Sequence, residues 1–427
     1  MQMFKIKGLK PLEGNVSVSG AKNAALPIMA AAAMARDVVR LENVPYIADT
    51  RNLVTILRQV NVKVEYLDHH TLRIDSTGLR NAPVDTEEVR KMRASYYLLG
   101  VLLGRFGEAN VVMPGGCDFG TRPIDQHIKA FEALGAKVDA GANVVMKAER
   151  LHGAHIFFDV VSVGATINAM LAAVLAEGDT VIENAAKEPH IVDTASFLNS
   201  MGADVRGAGT DVIRVYGVKK LHGSDYCIIP DQIEAGTYMV AAAATHGCVT
   251  VNNVIPRHME CISAKLREMG ITVDRGDDTV TVDARNIEFC PIRVKTQPYP
   301  GFPTDMQPQI VALLSVTEGT STVIEAVYDN RFKYVDELIR LGAKVSVDGR
   351  MAVIQGIPAL TGAEVRATDL RAGAAMVIAA LAASGESYIT NIELIDRGYE
   401  ELVAKLVGLG AMIERVDDEE KREKKIG

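Results

Sequence analysis

The sequence predicts an α/β protein of two domains, each made of three repeated units with buried helices inside and sheets outside. Three observations predict it. The chain has 427 residues, more than one core organises, so two domains of about 200 residues are expected. One phrase recurs along it at intervals of about 70 residues. Alanine-rich helices with few charges on any face recur in step with that phrase.

The phrase is a helix-like segment closed by Leu/Met-Gly-Ala-x-Val. It reads Leu134-Gly135-Ala136-Lys137-Val138, Met201-Gly202-Ala203-Asp204-Val205, Met269-Gly270-Ile271-Thr272-Val273, Leu341-Gly342-Ala343-Lys344-Val345 and Leu409-Gly410-Ala411-Met412-Ile413. A degenerate copy, Val60-Asn61-Val62-Lys63-Val64, precedes them. With Asn61 in the place of the glycine, the spacing stays nearly even from one copy to the next, which makes six units. Glycine just past a last helical turn takes the left-handed backbone that ends the helix. A β-branched residue then opens a strand, and second strands such as Thr279–Val282 and Met351–Ile354 close a hairpin.

Each unit holds a second helix, exemplified by Ala24–Ala35, Ala165–Ala176, Ala235–Ala244 and Ala372–Ala383. A helix apolar nearly all round is buried on all sides, and small side chains let several pack closely. The strands alternate polar and apolar residues, as in Val16-Ser17-Val18-Ser19, which suits a sheet wetted on one face. A solenoid is the competing reading of any repeat. Units of this size are long for one, and buried helices favour closed domains.

After each small helix comes a strand ending in asparagine or an acid: Asn43, Asn184, Asn253, Glu325 and Asn391. Unit two departs, running Val111-Val112-Met113 into Pro114-Gly115-Gly116-Cys117-Asp118-Phe119-Gly120-Thr121-Arg122. A break in a pattern kept by the other units is where function is sought. Arg122 would favour the Cys117 thiolate or hold an anion beside it. Arginines also follow these strands at 51, 257, 331 and 397; taken singly, each reads as a solvated surface cation. Lys22-Asn23 opens a helix, where the N-terminus attracts anions and lysine adds a full charge. Ser162-Val163-Gly164 reads as a helix cap or as a seat for a diphosphate.

The bulk numbers narrow the partners. A net charge of −8 argues against nucleic acid, so cations for an anionic ligand must be gathered locally. Five cysteines, at 117, 227, 248, 261 and 290, form no C-x-x-C pair and no metal spacing, which fits a reducing compartment. The N-terminus lacks a signal-peptide layout. The uncharged run Ala24–Ala35 is too short to span a bilayer. A cytoplasmic protein is expected, with residues 417–427 a charged, disordered tail.

These motifs, joined by Met92-Arg93-Ala94-Ser95, Arg122-Pro123-Ile124-Asp125, Pro303-Thr304-Asp305-Met306-Gln307 and Asp369-Leu370-Arg371-Ala372-Gly373, resemble the UDP-N-acetylglucosamine 1-carboxyvinyltransferases of the enolpyruvyl transferase family. The resemblance runs from about residue 1 to 416 and is carried by six motifs in order. It implies two inside-out α/β barrel domains, residues 21–229 and residues 1–20 plus 230–427, with the active site between them. It also implies transfer of the enolpyruvyl group of phosphoenolpyruvate to the 3-hydroxyl of UDP-N-acetylglucosamine, the first committed step of peptidoglycan synthesis in the bacterial cytoplasm.

By the same resemblance, Lys22, Asn23, Arg122, Arg371 and Arg397 hold phosphoenolpyruvate. The nucleotide-sugar contacts Asn23, Arg93, Arg122, Pro123, Ile124, Asp125, Gln126, Ser162, Val163, Gly164, Asp305 and Val327. Asp305 is the base and Cys117 the general acid, with Lys22 and Arg397 completing the catalytic set. Cys117 can also carry a covalent phospholactoyl adduct and is the thiol alkylated by fosfomycin-like epoxides. The glycines around it would hinge a lid over bound nucleotide-sugar. No cofactor or metal is implied. Partners are the two small molecules, without nucleic acid or membrane insertion. Two positions depart from the family's pattern: Val160 stands where some members carry lysine near the diphosphate, and Tyr97 where some carry tryptophan. The rival readings are the shikimate-pathway enolpyruvyl transferase, which shares the fold but lacks the cysteine loop, and a non-catalytic nucleotide-sugar-binding paralogue.

Overall fold

Each repeat resolves into the same six pieces: a first strand, a core helix, a second strand, an outer helix, and a hairpin of third and fourth strands. The computed structural model describes residues 2–85, 89, 93–112 and 124–417. Unit three gives the pattern in order: His155–Phe157, Val163–Ala173, Asp179–Glu183, Pro189–Ser200, Asp204–Arg206 and Val212–Tyr216. Its sheet runs third-fourth-second-first, with the first and second strands parallel and the rest antiparallel. A parallel pair needs a long crossover, and the core helix supplies it. Unit five repeats this order with Arg293–Lys295, Gln307–Leu314, Thr320–Ile324, Val335–Arg340, Lys344–Asp348 and Met351–Gln355. In unit two the described first strand is a single bridge, Val84 to Val111.

The phrase that defines the repeat behaves as its chemistry demands. Gly135, Gly202, Gly270, Gly342 and Gly410 have φ between 90° and 98°, and Asn61 has φ 65°. Each follows an outer helix and precedes a third strand. The chain divides into two compact units, Met1–Ser19 with Pro230–Gly427 and Gly20–Ile229. Each has its own continuous hydrophobic core. In the helix Gln232–Ala244 every residue but the first is buried. In Lys22–Ala32 every residue but Asn23 is buried, and in Leu370–Leu381 every residue is. The strands over them alternate, as in Val38–Glu42, where Val39 and Leu41 are buried and Arg40 is exposed. This is helix-inside, sheet-outside architecture in both units.

Three sheets are completed by distant parts of the chain. Gln2–Lys7 is the fourth strand of unit six, lying between Glu386–Thr390 and Met412–Asp417. Glu13–Ser17 is the first strand of unit four, parallel to Cys248–Asn252. Asp225–Cys227 is the first strand of unit one, parallel to Val38–Glu42. The polypeptide therefore closes each trio of repeats on itself. One point differs from the sequence reading: Asp417 belongs to the fold, not to the tail. It pairs with Gln2 at the end of Met412–Asp417, because the N-terminal strand reaches far enough to cover it. No helix among the described residues is long and apolar enough to cross a membrane.

Candidate active site

In the unit Gly20–Ile229, Lys22 is the first residue of the helix Lys22–Ala32. Its side chain is buried, and Nζ lies 2.7 Å from Oδ2 of Asp49. Asp49 sits in the first turn of the helix Ala48–Gln59 and is itself buried. The approach to Lys22 is tight: a Cβ on Gly20 would lie 1.7 Å from the Asn43 carbonyl oxygen, so only glycine fits there. Asn23 follows with an intermediate exposure.

Gln126 joins two stretches that lie well apart in the sequence. Its Nε2 donates to Asp125 Oδ2 (2.8 Å) and Asp159 Oδ2 (3.2 Å), and its Oε1 accepts from the Asp159 N–H (3.0 Å). Lys129 Nζ also meets Asp159 at 2.8 Å. The bonds from Lys129 and then Gln126 hold the Asp159 carboxyl below the usual carboxylate range. Next to this junction, Ser162 caps the helix Val163–Ala173, its Oγ accepting from the Ala165 N–H at 3.3 Å. The His127 ring packs on Gly164, where a Cβ would come within 3.0 Å of Cε1 and Nε2. The ring is held by Asn168 at 3.0 Å, and Asn168 Oδ1 accepts from the Gly100 N–H. Ile124, Asp125 and Gln126 are thus brought beside Ser162, Val163 and Gly164. Val160 is exposed at this edge. Arg93 opens the 3-10 turn Arg93–Tyr96, which runs into the helix Tyr97–Phe106. Cys117, Arg122 and Pro123 lie outside the described residues.

In the other unit, Asp305 occupies a 3-10 turn, Thr304–Met306, that leads into the helix Gln307–Leu314. Arg371 donates to its Oδ2 from Nε (3.2 Å) and Nη2 (3.0 Å). Arg331 Nη2 lies 3.7 Å from Asp305 Oδ1, and Arg331 Nη1 lies 3.9 Å from Asp369 Oδ1. The Asp369 carboxylate caps the helix Leu370–Leu381 by accepting from the N–H groups of Arg371 and Ala372. Side-chain exposures order the group: 30% for Asp305 against 4% for Arg371 and 2% for Arg331. The carboxylate faces outward with two buried guanidiniums behind it. Burial disfavours the charge on Arg371, but Asp305 together with Tyr399 and Asp231 more than offsets this and raises its pKa.

The guanidinium of Arg371 also stands 5.5 Å over the Tyr399 ring. The Tyr399 hydroxyl meets Thr237 Oγ1 at 2.9 Å and accepts from Gln309 Nε2 at 3.3 Å. Thr237, Gln309 and Arg371 belong to three different core helices, so one polar network ties these helices together. Arg397 lies two residues before Tyr399 and is half-buried. Val327 is exposed on the turn after Thr320–Ile324. Of the arginines read singly as surface cations, Arg51 and Arg257 are exposed, but Arg331 is buried. Two acids make the difference, and neither is near it in sequence. Asp49, the partner of Lys22, also escaped the sequence reading; nothing in its neighbourhood marks it.

By its family the chain is a two-unit transferase. The model of the family EPSP synthase (3-phosphoshikimate 1-carboxyvinyltransferase) matches residues 6–406, and the chain belongs to that enolpyruvyl transferase family. Within it, the chain is 57% identical over 419 residues to the UDP-N-acetylglucosamine 1-carboxyvinyltransferase of Clostridium botulinum (strain ATCC 19397 / Type A), covering 97% of this chain and 100% of that protein. It is 56% identical over 418 residues to UDP-N-acetylglucosamine 1-carboxyvinyltransferase 2 of Clostridium acetobutylicum, covering 97% and 99%. Among solved structures, the enolpyruvyl transferase NikO from Streptomyces tendae superposes with a TM-score of 0.88 at 28% identity, covering 97% of this chain and 99% of that one.

Proposed function

We propose that this enzyme transfers the enolpyruvyl group of phosphoenolpyruvate to the 3-hydroxyl of UDP-N-acetylglucosamine and releases phosphate. The observation that carries the reading is the 57% and 56% identity, over nearly the whole chain, to two proteins named for that reaction. It favours the nucleotide-sugar over shikimate 3-phosphate as acceptor.

The roles follow the family resemblance. The sugar 3-oxygen bonds to C2 of phosphoenolpyruvate while C3 gains a proton, giving a tetrahedral ketal. Loss of a C3 proton and departure of phosphate from C2 restore the double bond. Asp305 takes the hydroxyl proton as general base. Cys117 gives the C3 proton, and its thiol can alternatively carry a phospholactoyl adduct; it is also the proposed target of fosfomycin-like epoxides. Lys22, Asn23, Arg122, Arg371 and Arg397 hold the phosphate and carboxylate, and cations so placed stabilise the ketal more than the ground state. The nucleotide-sugar lies along Arg93, Arg122–Gln126, Ser162–Gly164 and Val327, with its diphosphate at the start of Val163–Ala173. The reaction needs no metal or added cofactor. Its product enters peptidoglycan synthesis in the bacterial cytoplasm.

The test mixes the protein with phosphoenolpyruvate and either UDP-N-acetylglucosamine or shikimate 3-phosphate and follows phosphate release. Release with the nucleotide-sugar alone is expected. Release only with shikimate 3-phosphate would move the chain to the other branch of the family, and none with either would leave a binding protein.

A further inference from the structure

Four repeats end their second strand with the same device. Asn43, Asn184, Asn253 and Asn391 directly follow Val38–Glu42, Asp179–Glu183, Cys248–Asn252 and Glu386–Thr390. All four have left-handed backbone, φ 55° to 58°. All four donate from Nδ2 to the carbonyl just past their unit's first strand: Ile228, Phe158, Val18 and Ala367. Asparagine tolerates that backbone and supplies a donor, so the device is a local strand-end clip.

Unit five replaces the asparagine with Glu325. Its backbone is not left-handed, and its own N–H bonds to the Arg350 carbonyl, a bond that the following residue makes in units three and four. Glu325 is wholly buried. Its Oε1 keeps the clip by accepting from the hydroxyl of Thr296, the residue just past the first strand (2.9 Å). The extra length does more. Oε1 also accepts from the N–H groups of Val327 (2.8 Å) and Tyr328 (3.1 Å), folding the turn that bears Val327. Oε2 accepts from the hydroxyl of Thr304 (3.0 Å), the residue before Asp305. The Thr304 carbonyl accepts from Arg331 Nη2 at 3.4 Å, so Thr304 is held from both sides. A buried carboxylate is retained at a strand end only where several donors satisfy it, and this one has four.

We propose that Glu325 is a positioning residue. One buried carboxylate fixes the Asp305 turn and the Val327 turn relative to each other, and so sets the base against the hydroxyl it must deprotonate. The inference rests on the roles given above to Asp305 and Val327. Glu325→Asn shortens the side chain by one methylene and keeps a carbonyl oxygen that can accept from the Thr296 hydroxyl, so it should preserve the clip while losing the reach to Thr304 and the Val327 turn. A misplacement of this kind costs on the order of 100-fold in rate.

The experiment measures kcat and both KM values, with melting temperature, for Glu325→Asn, Glu325→Gln and Thr304→Val. For Glu325→Asn, kcat should fall about 30- to 100-fold and KM for the nucleotide-sugar should rise several-fold, with KM for phosphoenolpyruvate within about 2-fold. Glu325→Gln keeps the length: its oxygen can accept from the turn while its amide donates to the Thr304 hydroxyl. It should recover kcat to within about 5-fold of the unmodified enzyme. Thr304→Val removes one arm without touching the buried acid, and should lower kcat about 10-fold even if Glu325→Asn fails to fold. Wild-type kcat in Glu325→Asn or in Thr304→Val would overturn the inference, as would a Glu325→Gln no better than Glu325→Asn. Asp305→Asn is the control that separates the two readings. If it keeps full activity, the role of Asp305 is wrong, whatever Glu325 does.

Discussion

Lys22 and Asp49 bring opposite charges to 2.7 Å with both side chains nearly out of water. Breaking a buried pair costs more than the pair contributes, because the remaining charge has been stripped of solvent. Asp49→Ala is therefore expected to lower stability by about 3 kcal/mol. If Lys22 faces the anionic substrate, phosphoenolpyruvate with UDP-N-acetylglucosamine should restore part of that loss. The check is thermal unfolding with and without the two substrates. A ligand-induced rise in melting temperature no larger in Asp49→Ala than in the unmodified enzyme would place Lys22 away from the bound anion. Lys22 could be picked out in the sequence because it opens a helix, whereas Asp305 and Arg371 were reachable only through the family resemblance of the phrases that carry them. Arg331 and Asp49 could be reached by neither route. Their character comes from partners that the chain brings up from elsewhere, Asp305 and Asp369 in one case and Lys22 in the other.

At the scale of the element, the repeat was readable because its punctuation is chemical. A left-handed residue must end each outer helix, and glycine or asparagine meets that need six times. What periodicity could not carry is how a helix start is packed. Gly164 looks like any small residue after a serine cap, yet the His127 ring occupies the space its Cβ would need. His127 is in turn locked by Asn168, whose Oδ1 holds the Gly100 N–H at 3.0 Å, so the ring has little room to retreat. Gly164→Ala should push the first turn of Val163–Ala173 outward and cost about 1–3 kcal/mol by overpacking. If that turn seats the diphosphate, KM for UDP-N-acetylglucosamine should rise about 10-fold while KM for phosphoenolpyruvate stays within about 2-fold. Steady-state kinetics with each substrate varied decides it: equal changes in both KM values would remove the diphosphate from this helix.

The whole molecule depends on strands whose partners lie in remote parts of the chain, and these pairings left no trace in local sequence. The phrase count shows six units, but not that Glu13–Ser17 completes unit four or that Asp225–Cys227 completes unit one. The second closure is held by Asp193 on the outer helix Pro189–Ser200. Its carboxylate accepts from the Tyr226 hydroxyl at 2.7 Å and from the Ile229 N–H at 3.3 Å, on the stretch where the chain leaves this unit. Burial raises the Asp193 pKa from the usual 3.8 to about 6, against the opposing pull of those two bonds. The sign follows from linkage. The folded protein binds this proton more tightly than the unfolded chain does. The stabilisation is full below about pH 4, declines as pH rises towards 6, and is lost above it. Asp193→Asn keeps an oxygen for the Tyr226 hydroxyl but cannot ionise. Relative to the unmodified protein, it should therefore gain stability with rising pH, by roughly 1 kcal/mol between pH 5 and pH 7. Urea unfolding of both proteins across that range measures the difference directly. A stability difference that stays flat with pH would mean that Asp193 enters the fold already ionised, and that the closure of unit one is not coupled to its proton.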